Sequence, residues 1–165
     1  FKTRYLPGPS LLRYLIDTGV WLRLFDRMDS QHPAILGGIQ GIRGTGHELV
    51  TCHQNIAEFW NVSTRPTTAR GGYGQAVNKT AKRVDFIERM STVLTESPAA
   101  YVTWRELVTT HGVEGVAVHD ARLVATMQTA EVKHIVTLNT RDFARYAAVT
   151  ALLPDDVLAS VSPDN

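Results

Sequence analysis

Four acidic residues, widely separated in the chain, each lie where the sequence predicts one end of a sheet. Asp17 directly follows a short apolar run, and Glu58 lies within a helical pattern behind a predicted strand. Asp120 opens another helical segment, and Asp142 comes shortly after a second apolar run. Converging carboxylates repel one another unless they are protonated or bridged by a cation. The pattern therefore predicts a Mg²⁺ or Mn²⁺ site for phosphodiester chemistry.

Each of these acids also has an ordinary structural interpretation. Asp17 precedes Thr18 and could simply cap a helix or a turn. Asp120 could stabilise a helix dipole, and Asp142 could cap a short helix. Glu58 lies on a polar stripe that faces either water or a groove, and helical periodicity does not choose between these two. From the residue types alone, both interpretations stay open.

Four short motifs occur along the chain in a fixed order. They are Leu15-Ile16-Asp17-Thr18; Gln54-Asn55-Ile56-Ala57-Glu58-Phe59-Trp60 followed by Thr64-Arg65-Pro66; His119-Asp120-Ala121-Arg122-Leu123-Val124-Ala125; and Thr137-Leu138-Asn139-Thr140-Arg141-Asp142-Phe143. Together they resemble the PIN-domain family, and within it the VapC-like toxin ribonucleases, over residues 14–158. The resemblance implies a hydrolase, a metal-dependent endoribonuclease that cleaves RNA as the toxin of a toxin–antitoxin system. It also implies a small antitoxin protein as partner, and a homodimer.

The resemblance and the local sequence together assign roles to the acids. Asp17 and Asp120 are the expected main metal ligands, and Glu58 is either a ligand or the base that orients a water molecule. Family members often carry Asp at the position of Asn139, so here the fourth acid is displaced to Asp142. Asn139 could orient a metal-bound water, and Asp142 could support the site from outside the ligand layer. Thr18 is a further accessory candidate.

Basic side chains near the motifs are candidates for phosphate contacts. Arg122 and Arg141 are the favoured ones because they flank acids of the predicted site. The net charge of +1 is nearly neutral, so an RNA partner requires a local basic patch. The other candidates are Arg65, Lys79, Lys82, Arg83 and Arg145.

Composition indicates one soluble globular domain. The chain has 165 residues, of which 44% are hydrophobic and 20% charged, and no run reaches the roughly 20 apolar residues of a membrane span. We expect the domain to cover residues 13–160, with residues 1–12 as an extension, either a truncated end or an added segment, and 161–165 as a tail. The single Cys52 cannot form an intrachain disulfide, so a reducing, cytoplasmic location is expected.

Strands alternating with helices predict a three-layer α/β/α sandwich around a short, mostly parallel sheet. The predicted strands are residues 14–16, 48–52, 92–94, 134–138 and 149–153. Ligands of such sheets bind beyond the carboxyl ends of the strands. Apolar side chains on the first two helices could instead form a groove for a partner, although a core position is favoured for most of them: Trp21, Leu22, Phe25, Ile39 and Ile42.

Other chemistries are less well supported. The histidines form no H-x-H or H-E-x-x-H pattern, which argues against zinc, and no phosphate-binding P-loop is present. A phosphatase would carry a second Asp two residues after Asp17, where the chain has Gly19. A phosphatase-type or phosphorelay domain is therefore the weaker alternative. A non-catalytic module that binds RNA or protein, with the acids acting only as caps, stays open.

Overall fold

The computed structural model describes residues 11–161, with no account of the side chains of residues 158, 160 and 161. Most of the proposed N-terminal extension and C-terminal tail lies outside these residues, so the domain limits stay a prediction. Within the described residues, no helix is both long enough and apolar enough to cross a bilayer. The strands are β1 (Arg13–Ile16), β2 (Glu48–Cys52), β3 (Thr92–Leu94), β4 (His134–Val136) and β5 (Thr150–Leu152). The helices are α1 (Thr18–Leu24), α2 (His32–Gly44), α3 (His53–Thr64), α4 (Val77–Met90), α5 (Pro98–Thr110), α6 (Ala117–Thr129), a 3₁₀ helix (Thr140–Phe143) and α7 (Pro154–Val161).

All strand pairs in the described sheet are parallel, in the order β3-β2-β1-β4-β5. The central strand β1 pairs with β2, where Leu15 lies opposite Val50, and with β4, where Ile16 lies opposite Val136. The carboxyl ends of these three strands therefore lie side by side. The predicted α/β/α fold is confirmed, and the sheet is entirely parallel in the described part of the chain.

The sheet is buried on both faces, which explains its almost uninterrupted apolar strands. Tyr14 and Ile16 point into one core, which is covered by α1, α2, α3, α4 and α7. Leu15 points into the opposite core, which is covered by α5, α6 and the 3₁₀ helix. Alternate residues of one strand thus anchor two helical layers, and the end of β1 is held rigidly between them.

Strands β2 and β3 match their predicted limits, but β4 ends at Val136 rather than at residue 138. It ends there because the backbone turns at Thr137, whose hydroxyl oxygen accepts the N–H of Asn139 at 3.1 Å. Helix α4 begins at Val77, after a loop that includes Gln75. The N–H of Gln75 donates instead to the carbonyl of Ser63 on α3 at 2.8 Å, which holds the preceding loop against that helix.

The apolar residues considered for a partner groove divide into two groups. Trp21 and Ile42 are completely buried and Ile39 is 3% exposed, so these three belong to the core. Leu22 and Phe25 are only partly buried. A cleft of about 780 Å³ lies beside them, lined on its apolar side by Leu24, Phe25, Leu36, Ile39, Phe86 and Met90.

Helices α2 and α7 pack so closely that two adjacent glycines of α2 should respond differently to alanine. A Cβ on Gly38 would lie 2.8 Å from the backbone oxygen of Pro154, whereas one on Gly37 would have nothing within 4 Å. Gly38→Ala should therefore destabilise the fold by about 1–3 kcal/mol, because backbone must move. Gly37→Ala should stabilise it by up to about 1 kcal/mol through helix propensity. Urea denaturation measures both, and equal effects would contradict this packing.

Candidate active site

Asp17 lies at the carboxyl end of the central strand, directly after β1. Its N–H still donates to the carbonyl of Val136 on β4, at 3.0 Å. Its Oδ1 accepts the N–H of Thr18 at 2.7 Å, so the residue caps α1 as its structural interpretation requires. Its Oδ2 accepts the hydroxyl of Thr137 at 2.7 Å. Two hydrogen bonds therefore fix the carboxylate, and a third, from its own N–H, fixes the backbone of Asp17 against β4.

Glu58 points toward this strand end and not only toward water. It lies on α3, which begins immediately after β2. Its Oε2 accepts the hydroxyl of Thr18 at 3.1 Å, and its Oε1 accepts the side-chain amide of Gln54, one turn earlier, at 2.9 Å. The polar stripe of α3 therefore faces the site.

A buried polar network fixes Thr18 between the two acids. Asn55 is 1% exposed and donates its side-chain N–H to Thr18 Oγ1 at 3.2 Å. Cys52 donates its thiol to Asn55 Oδ1 at 3.1 Å. The Thr18 hydroxyl can thus receive one hydrogen bond from Asn55 while donating its own proton to Glu58. The single cysteine serves here as a hydrogen-bond donor at the end of β2.

Asp120 reaches the site from the first turn of α6. The side-chain amide of Gln54 donates to the carbonyl of the preceding residue, His119, at 3.0 Å, which ties this turn to α3. The pKa of Asp120 is raised from 3.8 to about 6, mainly by burial and further by the negative charges of Asp142, Asp17 and Glu58. Nearby His119 acts in the opposite direction.

The pKa of Asp17 is raised as well, and burial is again the main cause. The hydrogen bonds from Thr137 and Thr18 stabilise its carboxylate and lower the pKa, while the charges of Glu58 and Asp142 raise it. Since the same acids act on Asp17 and on Asp120, the four carboxylates share one electrostatic neighbourhood. The four acids that the sequence singles out therefore lie within electrostatic range of this edge of the sheet.

Asn139 and Asp142 both lie at this edge, where the sequence left open which of them completes the site. Asn139 precedes the 3₁₀ helix and donates its side-chain amide to Asp142 Oδ2. Asp142 is exposed, in contrast to the partly buried Asp17. The amide and the acid therefore act as a hydrogen-bonded pair at the outer rim of the cluster.

The two favoured arginines have different surroundings. Arg122 forms a two-point ion pair with Glu96, at 3.0 and 2.9 Å. Its pKa is raised mainly by Glu96 and further by the charge of Glu58, so it lies near the acids without pairing with them. Arg141 is exposed, and its side chain has no hydrogen bond or ion pair within the described residues. It is therefore available to an incoming phosphate.

Other predicted basic contacts are directed elsewhere. Arg65 donates to the carbonyl of Arg70 at 2.9 Å, and Arg83 donates to Gln75 and lies over the ring of Phe25. Among the described residues, no lysine or arginine forms an ion pair with any of the four acids. The site therefore carries negative charge that no described cationic side chain neutralises.

The donor set fits a small, hydrated divalent cation. Among residues 11–161, no three Asp, Glu, His or Cys side chains converge closely enough to ligate one ion together. Mg²⁺ usually keeps several of its waters and takes only one or two carboxylates directly. A fixed and desolvated carboxylate such as that of Asp17, with other acids nearby, suits an ion of that kind.

Several residues that build the site were not among the sequence candidates. In the sequence, Thr137 looks like part of an apolar strand. Its hydroxyl group, at the end of that apolar run, is the one feature that could have indicated a role in the site. Gln54 precedes Glu58 by four residues, which is the spacing of a helical side-chain pair. Glu96, which follows β3 by two residues, had no signal, since its partner Arg122 is 26 positions away.

Comparisons with known proteins identify the fold and the family. The family model described as PIN domain matches residues 14–149, which is most of the chain. The resemblance stated from the sequence motifs is thereby confirmed. No curated protein sequence matches this chain significantly.

Solved structures with the same fold come from several bacteria. A chain of VapBC2 from Rickettsia felis, solved bound to a promoter DNA fragment, superposes with a TM-score of 0.64 at 10% identity, covering 86% of this chain and 98% of that one. A toxin–antitoxin complex from Klebsiella pneumoniae superposes with a TM-score of 0.59 at 16% identity, covering 86% of this chain and 97% of that one. Mycobacterium tuberculosis VapC20 is described as a Sarcin-Ricin loop cleaving toxin. It superposes with a TM-score of 0.56 at 16% identity, covering 81% of this chain and 95% of that one.

The hydroxyl of Thr137 should matter because it serves Asp17. Thr137→Val leaves Asp17 Oδ2 without its donor and should cost about 1–3 kcal/mol in the free energy of unfolding. Thr51 is the matched control, since it lies buried on β2 with no hydrogen-bond partner for its hydroxyl. Thr51→Val should be neutral or stabilising. Urea denaturation distinguishes the two, and a neutral Thr137→Val would contradict the role of this hydrogen bond.

The raised pKa of Asp120 predicts a pH-dependent stability in EDTA. Between pH 4 and about 6 the folded protein binds more protons than the unfolded chain, so the free energy of unfolding falls as pH rises. Above about pH 7, where Asp120 is ionised in the folded protein as well, this stabilising contribution is completely lost. Asp120→Asn should therefore be more stable than wild type at pH 7.5 by roughly 1–2 kcal/mol, a value reduced for solvent screening of this half-buried group.

Asp85, exposed on α4, provides the control. Asp85→Asn should retain the wild-type change in the free energy of unfolding between pH 5 and pH 7.5. An Asp120→Asn variant that also retained that change in full would contradict the assignment.

Proposed function

This chain belongs to the PIN domain family, and we propose that it is a metal-dependent endoribonuclease, the toxin of a toxin–antitoxin pair. One observation carries the proposal. Four carboxylates from separate segments share one electrostatic neighbourhood at the carboxyl edge of a parallel sheet, with no described cationic partner. That edge is where ligands bind in folds of this kind. The RNA-cleaving description of the structurally similar VapC20 supports the choice of substrate.

Asp17 and Asp120 would hold a hydrated Mg²⁺ or Mn²⁺, with Glu58 and Asp142 completing the cluster. A bound ion of this type supplies an activated water and stabilises the charge that develops on the phosphate. The protein contributes orientation. Asp17 is fixed by Thr18 and Thr137, so its carboxylate does not have to rearrange during the reaction.

Glu58 would act as the base that orients the attacking water and accepts its proton. Its two oxygens each accept one hydrogen bond, from Thr18 and from Gln54, which fixes the carboxylate and leaves further lone pairs free. Arg141, exposed and without a described partner, would contact a phosphate of the RNA strand. Asn139 would position Asp142, or a water molecule beside it, through its side-chain amide.

A non-catalytic module explains the site less well. A capping Asp needs no acidic neighbours, and desolvation beside Glu58 and Asp142 raises the pKa of Asp17, which destabilises the charged form. A protein that gathers such charges gains nothing from them structurally. A phosphatase-type domain also lacks its second aspartate, since Gly19 occupies that position.

RNA cleavage by the purified protein should require Mg²⁺ or Mn²⁺ and should stop in EDTA. Asp17→Asn and Asp120→Asn should each lower the cleavage rate by about 100-fold or more, because each removes a charged ligand. Asp85→Asn, an exposed acid on α4, should cleave like wild type. Gel analysis of a labelled RNA, with circular dichroism to confirm folding, tests this. Undiminished cleavage by a folded Asp17→Asn protein would reject the site.

The proposed partner is a small antitoxin that binds beside the first two helices. The Klebsiella pneumoniae neighbour is described as a toxin–antitoxin complex. In this chain, the cleft lined by Phe25, Leu36 and Phe86 offers an apolar surface of suitable character. Two arginines on its rim, Arg27 and Arg43, would attract acidic residues of a partner. The homodimer implied by the resemblance stays a prediction.

Coexpression with the product of the neighbouring reading frame should abolish toxicity in a bacterial host and yield a complex that copurifies. Leu36→Glu should weaken that complex by about tenfold or more, because it places a charge in the apolar cleft. Leu153→Glu is the control, since Leu153 is 40% exposed, close to the 38% of Leu36, and does not line the cleft. Equal binding of both variants, measured by titration calorimetry, would exclude this cleft.

A further inference from the structure

We propose that the cleft between the β3–α5 connection and α6 binds a nucleobase of the RNA strand next to the cleaved phosphate. This inference rests on the proposed ribonuclease function. The cleft has a volume of about 540 Å³, within the roughly 300–1,000 Å³ typical of small-ligand sites. The residues that matter for binding are Glu96, Tyr101, Trp104, His119 and Arg122.

The cleft and the acidic cluster share one turn of helix. His119 and Arg122 line the cleft, while Asp120 between them belongs to the acidic neighbourhood. Gln54 links the two directly, because its side-chain amide contacts both the carbonyl of His119 and the carboxylate of Glu58. A strand whose phosphate lies at the acids would therefore bring an adjoining base to the cleft.

Two aromatic rings form an accessible wall of this cleft. Tyr101 is 60% exposed, although it is a large apolar side chain. Its ring centroid lies 6.0 Å from that of Trp104, with an interplanar angle of 34°. Trp104 is held in place on its buried side, since its indole N–H donates to the carbonyl of Val118 at 3.0 Å and its ring packs on the core. An exposed tyrosine on a fixed support is a surface on which a base can stack.

The polar rim of the cleft suits the edge of a base. Arg122 and Glu96 hold each other through two parallel hydrogen bonds, so both groups are oriented before any ligand arrives. Their side chains are 50% and 36% exposed, which leaves N–H groups and carboxylate lone pairs accessible. Adjacent donors and acceptors in one plane are what the edge of a base requires. Arg122 then contacts a base and not, as the sequence suggested, a phosphate.

An aromatic wall beside a planar ion pair favours a nucleobase over an apolar protein segment. A protein partner would gain little from a rim that carries a carboxylate already paired with an arginine. A base, in contrast, uses the wall for stacking and the rim for hydrogen bonds at the same time.

Equilibrium binding of short single-stranded RNA tests the inference without cleavage. Asp17→Asn protein is titrated with oligonucleotides that carry the fluorescent base 2-aminopurine at one position each. One position should show strong quenching that Tyr101→Ala abolishes, with a loss of roughly tenfold or more in affinity. Tyr101→Phe keeps the ring and should retain binding. Val102→Ala, a neighbour on α5 that is 56% exposed and does not line the cleft, should also bind normally.

An abasic residue at the quenched position supplies the second comparison. It should weaken binding to the protein with Tyr101 and have little effect on the Tyr101→Ala protein, because the stacking partner is already missing. Equal losses in both proteins, or unchanged affinity in Tyr101→Ala, would overturn the inference. A Tyr101→Ala variant that binds RNA normally but loses self-association or antitoxin binding, measured by sedimentation, would make this a protein surface and overturn it as well.

Parallel cleavage assays with Asp17 intact, in proteins with Tyr101 and with Tyr101→Ala, separate this inference from the proposed function. RNA that stacks on Tyr101 but is never cut with Mg²⁺ or Mn²⁺ retains the base site and rejects the nuclease. RNA that is cut equally well by Tyr101→Ala retains the nuclease and rejects the base site.

Discussion

The short contact between Thr137 and Asp17 connects the ends of two neighbouring strands, and the geometry of the site depends on it. Asp17 directly follows the central strand β1, and Thr137 directly follows β4. Their 2.7 Å hydrogen bond therefore joins the carboxyl ends of the two strands. The same Thr137 hydroxyl oxygen accepts the N–H of Asn139, which directs the chain into the 3₁₀ helix that carries Asp142. One side chain thus sets the position of one acid and the path toward another.

The cost of the acidic cluster is met by burial elsewhere. Desolvation and mutual repulsion raise the pKa values of Asp17 and Asp120, so the charged cluster opposes folding at neutral pH. The strand below it is buried on both faces, with Tyr14, Leu15 and Ile16 all fully inaccessible. Burial of the Leu15 and Ile16 side chains contributes about 1.5–3 kcal/mol each. The stability of the buried sheet therefore offsets the unfavourable free energy of the charges at its edge.

Local sequence patterns predicted the fold, but they did not predict side-chain contacts between segments that are distant in the sequence. The limits of β2 and β3 follow from short apolar runs between turn signals. The direction of Glu58 did not follow from periodicity, because a helical polar stripe looks the same whether it meets water or another polar group. Thr18 decides this question, and it lies 40 positions away. Arg122 shows the same limit: its nearest acid in sequence is Asp120, but its partner is Glu96 on another element.

The fourth acid differs in kind from the other three. Asp17, Glu58 and Asp120 arise from a strand end and two regular helices, and all are at least partly buried. Asp142 is exposed on a short 3₁₀ helix and is oriented only by the amide of Asn139. Solvent screens a charge in that position more strongly, so it interacts with a cation more weakly than a desolvated carboxylate does. With a neutral Asn139 where an acid often stands in the family, the site would depend on Asp17 and Asp120 for affinity and would leave its outer side open to an RNA phosphate.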